Sequence, residues 1–249
     1  MALFDYTIQA QDGHARAATY ETAHGTFQTP MFMPVGTRAT VKGIQPAQLR
    51  ELQSQVVLAN TYHLSMRPGA DLVEEAGGVQ KFMCYDGPML TDSGGFQVMS
   101  LADTLKIDDE GLTFQSIYDG AKVRWTPESN MAIQEKIGAD ICMQLDQCAP
   151  YPAERSFVEK STRLSAAWAQ RCLATHKKPD QTLFGIVQGG MHLDLRLWSA
   201  GELQRIEQES LAAGGRRFGG FGIGGYSVGE PHEVMFETLG AVAQALPQD

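Results

Sequence analysis

Cysteine is scarce in this chain and is not spaced for metal or disulfide chemistry. Cys84, Cys142, Cys148 and Cys172 form no Cys-x-x-Cys pair, which excludes a zinc ribbon and a thioredoxin-like redox site. The six histidines include no His-x-x-x-His, so no metal is expected in residues 1–249. Free, mostly buried thiols in a reducing compartment are the expectation. Basic residues are outnumbered, 20 against 29 acidic ones, for a net charge of −9, which speaks against a broad nucleic-acid surface but not against a local patch. The tight basic pairs Lys177-Lys178 and Arg216-Arg217 read as solvated decoration. No apolar run approaches the roughly 20 residues of a membrane span. Met1-Ala2-Leu3-Phe4-Asp5 has no basic stretch leading into an apolar one, so no secretory leader is expected. No Gly-x-x-x-x-Gly-Lys-Ser/Thr occurs, so a P-loop is excluded. These absences predict a soluble cytoplasmic protein without membrane contact.

What is present is an ordinary globular composition, 43% hydrophobic and 20% charged over 249 residues. That length suits one α/β barrel of about 250 residues. Residues 1–30 read as a small antiparallel cap. Phe4 to Ile8 alternates, Asp12-Gly13 marks a turn, and residues 15–22 and 26–32 read as further strands. Residues 31–249 then alternate strand and helix, with strands near 31, 56, 89, 141, 183 and 221. Pro46, Pro68 and Thr126-Pro127 read as helix starts, the last an N-cap followed by a first-turn proline. Leu49 and Leu52 are expected on one face of the helix that Pro46 opens. Residues 154–175, carrying Phe157, Leu164, Trp168 and Leu173, form a long amphipathic helix. Residues 103–124 look like an insertion with its own short strands. Such alternation means parallel β-α units.

Four of these strands end in a polar side chain: Asn60, Asp92, Asp146 and Gln188. Strand ends far apart in sequence meet at one rim of a parallel sheet, where ligands bind. Asp92 is followed by Ser93-Gly94-Gly95-Phe96. The glycines let the backbone turn and approach a ligand closely, and Phe96 offers a flat apolar face. The same residues are also ordinary turn chemistry. Gly220, Gly222 and Gly225 satisfy Gly-x-Gly-x-x-Gly, but the motif must follow a strand and open a helix. Gly214-Gly215-Arg216-Arg217 precedes it and is no strand, so a dinucleotide site is rejected in favour of a glycine-rich strand.

Phe32-Met33-Pro34-Val35-Gly36-Thr37, Ala59-Asn60-Thr61-Tyr62-His63-Leu64, Arg67-Pro68-Gly69, the run from Leu90 to Val98, Phe184 to Gly190, and Gly224 to Pro231 together resemble the tRNA-guanine transglycosylases, also called queuine tRNA-ribosyltransferases. The resemblance implies a modified (β/α)8 TIM-type barrel. It implies exchange of guanine at the wobble position of certain tRNAs for a 7-deazaguanine, on the route to queuosine, through a covalent ribosyl-enzyme intermediate. Splitting one displacement into two is the usual gain of covalent catalysis. By resemblance Asp92 is the proton acceptor and Ser93, Gly94, Gly95 and Phe96 form the base-binding loop. Asp146 reads the base. Gln188 and the Gly225 N–H donate to the purine carbonyl, and Asn60 positions Asp92. Cys148 and Val228 resemble bacterial members, which use 7-aminomethyl-7-deazaguanine. Tyr226 stands where leucine is common, and Gln147 where glutamate is usual.

The family's chains run well past residue 249. The part beyond carries two further barrel strands, an Asp nucleophile in a Phe-Asp-Cys context, the basic tRNA-contacting segment and a structural zinc site of three cysteines and a histidine. The expectation is therefore a truncated chain with about six of eight strands, inactive alone and a homodimer when complete. Two other readings stand beside it. A non-catalytic homologue or partner subunit need not keep Asp92 and Asp146, and this chain has both. An unrelated barrel glycosidase would need the two carboxylates but neither Gln188 nor the glycine strand.

Overall fold

The computed structural model describes residues 4–101 and 104–248. The first three residues, the expected insertion boundary at 103 and the chain end at 249 lie outside them.

Strands β1 (Tyr6–Asp12), β2 (Ala15–Thr22) and β3 (Gly25–Thr29) form an antiparallel sheet in that order. Gly13 takes the positive φ of the first turn. β2 alternates, burying Ala18, Tyr20 and Thr22, whereas β1 is exposed along nearly its whole length. β1 is the outer edge, so the alternation expected from Phe4 to Ile8 does not become a buried face. Tyr20 packs on Phe27 and Phe184 in a cluster with Val56, Leu90 and Ile141. This small sheet thereby rests on the parallel sheet described below.

The strand expected over residues 31–36 is not formed. Only one bridge, Val35 to Leu58, joins it to its neighbour. Pro30 and Pro34 have no N–H to give a ladder, and Phe32 and Val35 are exposed. Helix α1 (Pro46–Glu51) begins at its proline and buries Leu49. Leu52 is exposed instead, because it is the C-cap, past the last helical turn.

β4 (Val57–Asn60) runs directly into α2 (Thr61–Met66), and Asn60 caps that helix by accepting from the His63 N–H. α3 (Ala70–Glu75) starts after Gly69, two residues later than Pro68, because Gly69 at φ 109° is not helical. α4 (Val79–Met83) and β5 (Met89–Asp92) follow, then α5 (Gly95–Leu101). β6 (Leu105–Asp108), β7 (Gly111–Gln115) and β8 (Lys122–Trp125) make a second antiparallel sheet. Its Phe114 and Trp125 rings pack on Tyr62 at 5.8 and 6.1 Å.

α6 (Pro127–Ile137) has the expected Thr126 cap and ends at Gly138 in the left-handed region. β9 (Ile141–Met143), α7 (Arg155–Thr175), β10 (Thr182–Val187), α8 (Leu193–Ala212), β11 (Gly220–Ile223) and α9 (His232–Ala245) complete the chain. In α7 Trp168 and Leu173 are buried, but Phe157 is exposed. The inward face is filled by Val158, Thr162, Ser165, Ala169 and Cys172. Thr162 donates within the helix to the Val158 carbonyl at 2.7 Å, whereas Ser165 Oγ accepts from the Gln147 N–H at 2.9 Å, in the loop after β9.

β4, β5, β9, β10 and β11 form one sheet with neighbours in chain order, and every pair is parallel. The protein is thus a mixed α/β fold with a five-stranded parallel sheet flanked by two antiparallel ones. All five carboxyl ends lie along one rim.

Candidate active site

Asn60 and Asp92 are register partners at the ends of β4 and β5. Asn60 Nδ2 donates to Asp92 Oδ2 at 2.7 Å, and Thr61 Oγ1 donates to the Asp92 carbonyl at 2.5 Å. Asp146 lies three residues past β9, Gln188 one past β10, and Gly224-Gly225 just past β11. Asp92, Asp146, Gln188 and Gly225 line one cleft of about 460 Å³, together with Ser93, Gly94, Phe96, Cys148, Tyr226 and Val228. Asn60 and Gly95 are buried and are not part of this lining. A Cβ on Gly95 would fall 2.7 Å from the Asp146 carbonyl oxygen, and one on Gly94 would fall 2.6 Å from the Tyr62 nitrogen. Only glycine lets the Asp92 loop nest between its neighbours.

The two carboxylates differ in their bonding. Asp92 Oδ1 is sequestered from solvent and has no partner within hydrogen-bonding geometry among the described residues. Burial pushes the Asp92 carboxyl up to about 7, against the pull of Asn60 and of the nearby Thr61 and Gly94 N–H groups, and the Asp146 charge adds to the rise. Asp146 accepts from Ser93 Oγ at 3.3 Å and from Gln188 Nε2 at 2.6 Å. Burial raises it to about 6, opposed by those two donors. The Cys148 thiol is pushed up to about 12 by burial and by the Asp146 charge, so it is neutral at physiological pH. Phe96 keeps half its surface exposed at the cleft mouth.

On one wall Asp146 is an acceptor and Gln188 a donor. An amide NH2 carries two hydrogens, and Asp146 takes one of those on Gln188. Among the described residues the Gly225 N–H makes no hydrogen bond, whereas the Gly224 N–H donates to the Val187 carbonyl. The cleft lining thus carries an acceptor, a side-chain donor and a backbone N–H without a partner among the described residues, beside a carboxyl group poised near neutrality.

Several supporting residues were not anticipated from the sequence. Asn130 and Gln134 are fully buried on α6. Asn130 Nδ2 donates to the Ser93 carbonyl, and Gln134 bonds the Met143 carbonyl and the Thr91 hydroxyl. Two amides at i, i+4 beside Ile133 and Ile137 were the available signal. Gln144 Oε1 accepts from the Ile186 N–H, extending the β9–β10 ladder with a side chain after the strand itself ends. Arg196 is fully buried and left no mark on an amphipathic helix, where arginine is ordinary. Arg216 is half-buried, donating to the Lys178 and Gln181 carbonyls, so it is not the solvated decoration expected.

Cys142 and Cys172 are buried with their thiols on carbonyl oxygens, and no metal-binding group of three His, Cys, Asp or Glu side chains occurs among the described residues. No described helix is long and apolar enough to cross a membrane.

Fold and cleft together define an α/β protein of the kind that holds a small ligand at the carboxyl ends of parallel strands. A family model described as queuine tRNA-ribosyltransferase matches residues 11–249. The chain is 51% identical over 247 residues to a queuine tRNA-ribosyltransferase of Acetivibrio thermocellus, covering 99% of this chain and 63% of that protein. It is 50% identical over 246 residues to one of Herpetosiphon aurantiacus, covering 99% and 60%. For one of Deinococcus radiodurans the identity is 48% over 248 residues, covering 100% and 60%. The chain belongs to the queuine tRNA-ribosyltransferase family, and it spans about three fifths of the length of these relatives.

Proposed function

We propose that this chain recognises guanine and moves its proton in a tRNA-guanine transglycosylase, which replaces guanine at the wobble position with 7-aminomethyl-7-deazaguanine. The observation that carries the reading is the acceptor-donor-donor wall of Asp146, Gln188 and Gly225, with Asp146 and Gln188 2.6 Å apart. Guanine presents the complement along one edge: two N–H donors and a carbonyl oxygen. An ionised Asp146 offers only acceptors and takes the N–H pair. The free hydrogen of Gln188 and the Gly225 N–H take the oxygen. Phe96 stacks on the ring face. Asp92, poised at about 7, is matched to proton transfer at neutral pH. Cys148 and Val228 shape the cleft around the 7-substituent.

The nucleophile is assigned to no residue of this chain, since Phe-Asp-Cys does not occur in residues 1–249. The five parallel strands are read as part of a (β/α)8 barrel, residues 1–30 as its cap and 103–124 as an insertion. The zinc site, the RNA-contacting segment and part of a homodimer interface are assigned outside these residues, and the partner is a tRNA with guanine at the wobble position.

The test is equilibrium binding of radiolabelled guanine. The protein should bind guanine, and Asp146→Asn should weaken binding about tenfold or more, because the new NH2 faces the purine N–H groups. Unchanged affinity in Asp146→Asn would remove Asp146 from base recognition.

A further inference from the structure

Arg196 is a fully buried cation on the first turns of α8 whose hydrogen-bond partners are backbone carbonyls rather than a carboxylate. Nε donates to the Gly190 carbonyl at 2.5 Å, Nη1 to that of Gly224 at 2.9 Å and Nη2 to that of Gly225 at 3.2 Å. The Tyr226 ring covers the guanidinium, 3.5 Å from Cζ to the ring centroid. The tyrosine is held there by a 2.7 Å bond between its hydroxyl and Thr238 Oγ1. Gly189 and Gly225 leave the guanidinium room: a Cβ on Gly189 would fall 2.6 Å from Arg196 Cγ.

The consequence lies in the peptide plane. In a trans peptide the C=O of Gly224 and the N–H of Gly225 point in opposite directions. Arg196 pulls that carbonyl from behind the cleft wall, so the N–H is turned away from Arg196, toward the ligand side. A hydrogen bond from a charged donor is roughly twice as strong as a neutral one, and hydrogen bonds in a chain polarise one another. The positive charge is therefore relayed through one peptide unit to the Gly225 N–H. A lysine could not do this, since it is a point charge without the planar fork that reaches several carbonyls. The aromatic face of Tyr226 stabilises the cation in the absence of a bound carboxylate.

We propose that Arg196 is the positioning residue of the base-binding wall. It acts through the Gly224-Gly225 peptide to aim and strengthen the donor that meets the oxo group of the bound purine, while Tyr226 shields it from water. This rests on the purine reading above.

The experiment compares guanine with 6-thioguanine, which keeps the N–H edge but replaces the oxygen by a weaker acceptor. The intact protein should favour guanine by about tenfold. In Arg196→Lys, guanine affinity should fall about fivefold while 6-thioguanine changes less than about twofold, so the ratio moves toward one. Tyr226→Leu leaves the hydrogen bonds but admits water and should lower the ratio less, and it carries the test if Arg196→Lys does not fold. Equal losses for both purines, or an unchanged ratio, would show a plain loop staple and overturn the inference. Failure of the intact protein to bind either purine would overturn the purine reading and the inference with it.

Discussion

Asp92 has one carboxylate oxygen bonded to Asn60 and the other without a partner among the described residues. Folding raises its pKa from 3.8 to about 7. The folded state then holds a proton that the unfolded state has released, so stability falls as pH rises from about 4 to 7. Asp146, raised to about 6, has the same sign. Asp92→Asn should therefore melt higher than the parent at pH 8, by on the order of 2 kcal/mol, with the gap closing below about pH 4. It should also abolish base exchange in the complete enzyme. Thermal melts at the two pH values check the first, and a variant less stable at pH 8 would contradict it. The site's acids and amides were legible because each closes an apolar run: Asn60 and Asp92 end β4 and β5, whereas Gln188 stands one residue past β10 and Asp146 three past β9, where the ladder is already finished. Arg196, Asn130 and Gln134 were not, because helical arginine, asparagine and glutamine look like surface until the helix's inward face is known.

At the scale of elements, α6 ties the site together. Its Thr126-Ser129 capping box fixes where the helix starts, and that start places Asn130 under the Ser93 carbonyl at 2.9 Å. Asn130→Ala leaves a buried carbonyl short of its donor and should destabilise by about 1–3 kcal/mol. It should also weaken guanine binding, because Ser93 Oγ bonds both Asp146 and the Gly95 N–H. Titration with guanine beside a urea melt separates the two effects, and loss of stability with unchanged affinity would cut α6 off from the site. Helix starts were legible wherever proline met a cap, as at Pro46 and Thr126-Pro127. Residues 31–36 were misleading, since an apolar run reads as a strand even when prolines remove its ladder donors. Phe157 misled in the same way: α7 buries serines and threonines against the sheet and leaves an aromatic outside.

Across the whole molecule, the N-terminal sheet is fastened beneath the parallel one by Asp140. This fully buried acid accepts from the His24 backbone N–H at 3.0 Å and lies 2.9 Å from His24 Nδ1. It also accepts from Gln80 Nε2 and from the Met89 N–H. The bond to Asp140 holds His24 above its ordinary 6.5, with Asp180 adding to the rise and burial and Lys81 opposing it. A histidine raised on folding contributes stability that is complete below its unfolded pKa and lost as pH rises through the folded one. Amides of β2 and β3 should therefore exchange hydrogen faster at pH 8 than expected from intrinsic rates, and His24→Ala should remove that difference. Equal protection at pH 6 and pH 8 in the parent would exclude the clasp. The alternation of strand and helix was legible along the chain, but this fastening was not, because a loop histidine and an acid 116 positions later share no local pattern.

The glycines around the cleft bear on its redesign. Side chains at positions 94, 95, 224 and 225 would meet backbone or the Ile186 and Gln188 side chains within 2.7 Å, so two sides of the cavity are closed to variation. Libraries meant to admit a bulkier purine should yield functional clones at Cys148 and Val228 and dead ones at the four glycines. The same boundary tells a medicinal chemist where an inhibitor can grow: outward past the sulfur and the valine, and never toward the glycine wall.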